Sequence, residues 1–203
     1  MLVSILKNLY RVRRDKRAYP RGVPGAGLIR LHIGGQIPHP DWQILDVQAG
    51  PHVDHVGHCA DLSRFADSSV QEIYASHVIE HLSFRADLPR ALKEFNRVLV
   101  PGGILRASVP DLVALCKLFL DPELNSHQRF DVMQMMFGTQ INQPDFHYVG
   151  LNEEFLTAFL QDACFVEIAR VDKFGLFDDT SNMVYKKPIS LNMTARKPPK
   201  AGR

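Results

Sequence analysis

Between Val70 and Val109 the chain sets out a strand, a helix and a second strand, with little between them. "VQEIYAS" (70–76) has the apolar, aromatic and β-branched content of a strand, and the turn "ADSS" precedes it. Leu88, Ala91, Leu92, Phe95, Val98 and Leu99 then recur at i, i+3, i+4, i+7, i+10 and i+11. That spacing lines one face of a helix. Asp87 is placed to cap it, and Pro89 suits its first turn. Pro101-Gly102-Gly103 stops it, and "ILRASV" (104–109) reads as the next strand. Strands joined through a helix run parallel, and a parallel sheet must be covered on both faces. This unit therefore restricts the fold to the α/β class.

The flanks continue the alternation. "LIRLHI" (28–33) and "QILDV" (43–47) read as strands before the unit. After it come a helix opening at Pro110-Asp111, a Met-rich helical stretch over 127–137, and the amphipathic helix "NEEFLTAFLQDA" (152–163). "FVEIARV" (165–171) and "ISLNMTAR" (189–196) close the sheet. "PRGVPGAG" (20–27) is a breaker-rich linker. The expected organisation is an arm and linker over residues 1–27 and one domain over 28–198.

Charge is unevenly spread. Residues 1–21 carry seven Lys/Arg against Asp15 alone, and the tail from Lys186 has six basic residues and no acid. With a net charge of +2, the middle is strongly acidic. An acidic body argues against nucleic acid as the partner. Cys59, Cys116 and Cys164 lie far apart, which fits buried reduced thiols in a cytoplasmic protein and no disulfide framework. Leu2, Ile5, Leu6 and Leu9 recur at helical spacing among Lys7, Arg11 and Arg14. Residues 2–17 thus suit an amphipathic helix on an anionic membrane surface, peripheral to its inner face. A disordered basic arm, or a helix docked on its own domain, is the competing expectation.

His77-Val78-Ile79-Glu80-His81 matches H-x-x-E-H. On a helix, histidines four apart can share a zinc ion, with the Glu as general base. Glu153-Glu154 would be candidates for a third ligand. The flanks oppose this, because "EIYAS" is strand-like and the clear helix starts only near Asp87. The expectation is a strand-to-helix turn with no metal, in which Glu80 and His81 fix the turn.

In open α/β sheets, ligands bind beyond the carboxyl ends of the strands. Here those ends offer Gly34-Gly35, Asp46, Asp61-Leu62 and Ser76-His77. A glycine turn followed by an acid at the next strand end is the order that holds a nucleoside ribose. With these residues assembled, "LHIGGQ…DWQILDV…HCADLSRFADSSVQEIYASHVIEHL…ALKEFNRVLVPGGILRASVPDL" resembles the S-adenosylmethionine-dependent methyltransferases, closest to the small bacterial type-11 group. The resemblance covers about residues 28–172. It implies a Rossmann-like sheet of seven mostly parallel strands with helices on both faces. It also implies S-adenosylmethionine as cofactor, with Gly34 and Gly35 under its methionine part and Asp46 on the ribose hydroxyls. Asp61 and Leu62 would meet the adenine edge, and Ser76 and His77 the sulfonium side.

Two features depart from the family pattern. Gln36 stands where a glycine is usual, and only "QIPHPDWQIL" separates Gly35 from Asp46, so the first crossover helix is expected to be absent. Methyl transfer from a sulfonium needs alignment first, and a general base for a hydroxyl or protonated amine. His147, in the loop "QPDFHYVGL" (143–151), is the first candidate base because imidazole titrates near working pH; His77 is the second. The resemblance suggests a small-molecule or glycan acceptor, as in surface polysaccharide biosynthesis, by O- or N-methylation. A non-catalytic methyltransferase-fold subunit is the alternative.

Overall fold

A computed structural model describes residues 28–200. The arm expected over residues 1–27, with its membrane contact, lies outside the described residues. Seven strands form one sheet: β1 (Ile29–Ile33), β2 (Gln43–Asp46), β3 (His55–Val56), β4 (Val70–Ser76), β5 (Leu99–Pro110), β6 (Val166–Val171) and β9 (Ser190–Arg196). Their order is β3-β2-β1-β4-β5-β9-β6. Every neighbouring pair from β3 to β5 is parallel, and β9 runs antiparallel to both β5 and β6. The order reverses between β1 and β4, so a crevice opens above their carboxyl ends. A short hairpin, β7 (Val184–Tyr185) with β8 (Lys187–Pro188), leads into β9.

Strand alternation sorts the sheet's side chains. Leu31, Ile33, Ile73, Ala75, Leu105 and Ala107 join one core with α1 (Asp87–Val98) and α4 (Glu153–Asp162). Leu88, Ala91, Leu92, Phe95 and Val98 of α1 are all buried there, as the spacing requires. Asp87 is the first helical residue; Ala86 holds the cap position and offers no side-chain bond. The strand after α1 starts at Leu99, earlier than expected. Leu99 pairs with Val70, and the ladder shifts register before resuming at Glu72 and Ile104, so Pro101-Gly102-Gly103 is absorbed as an irregularity within β5.

The first crossover contains no helix, as its length foretold. Residues 34–42 are a loop, pinned by the Gly34 amide on the Leu45 carbonyl at 2.8 Å. The sheet still needs cover on this side, and aromatic rings supply it. His32 and Tyr74 point away from the main core and meet Trp42, Phe174 and Phe177. Phe177 stands at ring-centroid distances of 4.3 Å from His32, 4.8 Å from Tyr74 and 5.5 Å from Trp42. Each such pair contributes about 0.5–1.5 kcal/mol beyond burial. The Tyr74 hydroxyl donates to Asp179 at 2.9 Å and reaches Ser181 at 3.1 Å, tying the covering segment to β4.

Helix α2 (Leu112–Phe119) is capped by Asp111, whose carboxylate accepts from the Val113 and Ala114 amides. It packs with α3 (Ser126–Phe137) around Leu115, Val132, Met135 and Ile189. Core packing thus takes part of the Met-rich stretch. Cys59 is buried and free, whereas Cys116 and Cys164 are free but exposed, contrary to the expected burial. No helix among the described residues is long and apolar enough to cross a membrane.

Candidate active site

Gly34–Gly35, Asp46 and Ser76–His77 fall at the carboxyl ends of β1, β2 and β4, whereas Asp61 and Leu62 lie in the loop between β3 and β4. Asp46 ends β2. Its Oδ1 accepts from the Gln48 amide at 2.7 Å, while Oδ2 has only a stretched contact of 3.5 Å from the Gln36 amide group. One carboxylate oxygen is therefore available to a ribose hydroxyl, and Gln36 lies beside it. Gly34 sits at φ +70°, a conformation that disfavours side chains, and a Cβ there would stand 2.5 Å from Val78 Cγ2. A Cβ on Gly35 would stand 2.7 Å from the His32 ring. Both glycines are thus required by the loop's own packing, and they leave the end of β1 free of side chains. These groups fit the sugar and methionine parts of a nucleoside cofactor.

The adenine edge fits less well. Asp61 is exposed, with Oδ1 accepting from the Ser63 amide at 3.1 Å. Leu62 is fully buried in the main core, and its amide donates to Glu94 at 2.9 Å. Leu62 therefore presents neither side chain nor amide to an adenine, which corrects its expected role. The cause is Arg97, in the last turn of α1. It bonds Glu94, Asp67 and the carbonyls of Phe65 and Leu62, so it clamps the 62–67 loop onto α1.

At the end of β4, Ser76 pairs with Ser108 across the ladder and meets Thr180 at 3.2 Å between hydroxyl oxygens. His77 takes φ +53°, strained for a non-glycine residue, and its amide donates to the Ser108 carbonyl at 2.8 Å. A single 3-10 turn over Ile79–His81 follows. His77 and His81 thus straddle a turn, and the zinc-peptidase arrangement on one helix does not form. Glu153, a candidate third ligand of that arrangement, instead reaches Arg170 at 3.4 Å.

What the turn does build is a cluster. Glu80 is 1% exposed, and neither carboxylate oxygen has a hydrogen-bond partner. Burial pushes its carboxyl up to about 8. Glu80 holds the turn through its backbone carbonyl, which accepts from the Tyr148 and Val149 amides. That pair of bonds brings the 143–151 loop onto the strand end. His81 does tie the turn, through Nδ1 to the Phe146 carbonyl at 3.1 Å. His147 follows, its ring 4.7 Å from that of His81, edge to face. One ligand atom from each of Glu80, His81 and His147 lies within 4.8 Å of the others.

The two candidate bases, His77 and His147, are thus brought close to each other and to the end of β4. Burial, then the charge of the neighbouring histidines, lowers His77 to about 3 and His147 to about 4. Both rings are neutral at working pH and neither titrates there, which corrects the reason for preferring His147. Sequence reasoning missed Glu80 as the orphan of this cluster. Its one signal was a Glu between two histidines at a strand end.

Comparison with known proteins accords with this geometry. A methyltransferase-domain family model of the type-11 group matches residues 44–107, from β2 into β5. Over those residues the chain is similar to the type-11 methyltransferase domain. Solved structures share the domain's fold. An S-adenosylmethionine-dependent methyltransferase from Archaeoglobus fulgidus is 14% identical with a TM-score of 0.53, over 85% of this chain and 87% of that one. The Burkholderia thailandensis 1,6-didemethyltoxoflavin-N1-methyltransferase, with 1,6-didemethyltoxoflavin and S-adenosylhomocysteine bound, is 16% identical with a TM-score of 0.50, over 85% and 72%. A possible exported protein from Bordetella parapertussis is 15% identical with a TM-score of 0.52, over 85% and 62%. The chain thus spans under two thirds of the Bordetella protein, and half of the CurJ carbon methyltransferase. No curated protein matches the chain by sequence.

Proposed function

We propose that the protein methylates an oxygen or nitrogen of a small-molecule or glycan acceptor, and that the acceptor enters at the end of β4 under the 143–151 loop. The observation that carries this is the convergence of His77, His81 and His147 on one strand end beside the Gly34–Asp46 crevice. Bound S-adenosylmethionine supplies a methyl already activated by the sulfonium charge. Asp46 accepts from its ribose hydroxyls, and the side-chain-free end of β1 lets the methionine part lie against the backbone.

The chain's remaining tasks are orientation and proton handling. Neutral imidazoles can accept a hydrogen bond from an acceptor hydroxyl or amine and turn its lone pair toward the donor. His77 Nε2 meets the Ser190 hydroxyl at 3.1 Å, and that hydroxyl donates to the Thr180 carbonyl at 2.7 Å. Ser190 oxygen therefore accepts from Nε2–H, which fixes the tautomer and turns the Nδ1 lone pair toward Glu80, so His77 positions the turn and His147 is the ring placed to meet the acceptor. His147 rides on a loop pinned at its base, its amide on the Phe137 carbonyl at 3.2 Å.

The test is formation of S-adenosylhomocysteine from S-adenosylmethionine across a panel of sugars, nucleotide sugars, phenols and amines. Support is turnover with an acceptor of this kind, lost by at least tenfold in His147→Ala with cofactor binding retained. Turnover with a carbon acceptor alone, or His147→Ala matching the parent, would overturn it.

A further inference from the structure

Among the described residues, Glu80 is the one whose carboxylate is buried with both oxygens unpartnered. It is almost wholly buried and has no hydrogen-bond donor on either oxygen. His77 Nδ1 lies 3.5 Å from its Oε1. That nitrogen carries the lone pair, since Nε2 is held as the donor to Ser190. A bare carboxylate facing a lone pair in a dry site is strongly unfavourable. Something positive, a proton or a metal cation, belongs between the neighbours of Glu80.

The other two members are arranged as metal-binding histidines are. His81 Nδ1 donates to the Phe146 carbonyl, which leaves Nε2 as a bare lone pair. The His147 ring stands near the backbone carbonyls of Met135 and Met136 at the end of α3, which favour a ring N–H toward them. Such outer bonds fix the tautomer and aim the opposite nitrogen. The three ligand atoms lie within 4.8 Å of one another, so a small contraction brings each to about 2.0–2.2 Å from a common centre. Glycine geometry supports the placement of His147. Gly138 sits at φ +79°, and a Cβ there would collide with the Asp145 carbonyl oxygen. Thr139 Oγ1 donates to Asp145 in the same loop.

We infer that Glu80, His81 and His147 form a binding site for one divalent transition-metal ion. One carboxylate and two imidazoles suit Zn²⁺, Mn²⁺, Co²⁺ or Fe²⁺ and disfavour Ca²⁺ and Mg²⁺. Three protein ligands leave coordination positions open. His81 and His147 are only half-buried, so the open positions face the loop side. A hydroxyl-bearing acceptor would fill one of them. That use rests on the proposed function; the site does not. The H-x-x-E-H motif thus regains a metal meaning, with Glu80 as ligand, His77 behind it and His147 as the third member.

The test uses the full chain, treated with chelator and titrated with Co²⁺. The expected result is one Co²⁺ per chain by elemental analysis, a visible d–d band, and a raised melting temperature with Co²⁺, Zn²⁺ or Mn²⁺. Glu80→Gln keeps the shape of a protonated Glu and should fold; it and His147→Asn should each lose about 10–100-fold in Co²⁺ affinity. No Co²⁺ binding by the parent at roughly millimolar ion, a range typical of only the weakest protein metal sites, would overturn the site. So would Glu80→Gln binding as the parent does. S-adenosylhomocysteine binding, measured by calorimetry without metal, reports on the cofactor crevice separately. Its loss would count against the proposed function and not against the metal site.

Discussion

His81 Nδ1 lies 3.1 Å from the carbonyl oxygen of Phe146, 65 residues further along the chain. This bond joins the turn after β4 to the loop that carries His147. With the Tyr148 and Val149 amides on the Glu80 carbonyl, it makes strand end and loop one unit. The site therefore depends on how that loop is held, and the loop's own constraints can be tested.

Gly138 closes α3 at φ +79°, where a Cβ would overlap the Asp145 backbone. Gly138→Ala forces the loop away from its docked position. The left-handed conformation alone costs roughly 1–2 kcal/mol, and the overlap adds to it. Denaturant unfolding should show a loss of about 2 kcal/mol or more. A change below about 0.5 kcal/mol, the range of surface substitutions, would mean the loop is not held as described.

His32 makes stability depend on acid. Burial holds its folded pKa at about 3, from an ordinary 6.5. Between those values the unfolded chain binds a proton that the folded chain does not, so stability rises with pH. The contribution is complete above about pH 6.5 and is lost as pH falls toward 3, at up to about 1.4 kcal/mol per pH unit. Urea unfolding at pH 7, 6 and 5 should show a slope to which His77 and His147 also contribute, and His32→Leu should lower it by up to about 1.4 kcal/mol per pH unit. An equal slope in both proteins would place the acid sensitivity elsewhere.

Tyr74→Phe removes a hydroxyl bonded to Asp179 and Ser181 and keeps the ring in the aromatic cluster. Asp179 is left without that donor. The expected loss is about 1–3 kcal/mol, read as a lower denaturation midpoint at unchanged m-value. No loss would show that the 172–183 segment is held by ring packing alone.

The strand–helix–strand unit was legible because its period is local: each buried residue of α1 is announced by its neighbours three and four positions away. The missing crossover helix was legible from chain length between Gly35 and Asp46. What replaced it was not, since Phe174 and Phe177 come from more than a hundred residues away in the chain. Asp46 could be placed because a strand end is a local property. Leu62 could not, because its burial is decided by Arg97 and Glu94 on another element. The cluster around Glu80 escaped for the same reason. H-x-x-E-H showed two members, but the third, His147, arrives by tertiary contact. Its lowered pKa follows from burial, which no spacing reveals.

Calorimetry with S-adenosylhomocysteine, run in parallel on the parent chain and on Asp46→Ala, addresses the cofactor crevice most directly. Saturable one-to-one binding by the parent, weakened at least tenfold in Asp46→Ala, is the expected result. No heat at roughly millimolar ligand, an affinity worth only about 4 kcal/mol, or equal affinity in the two proteins, would contradict a cofactor held at the ends of β1 and β2.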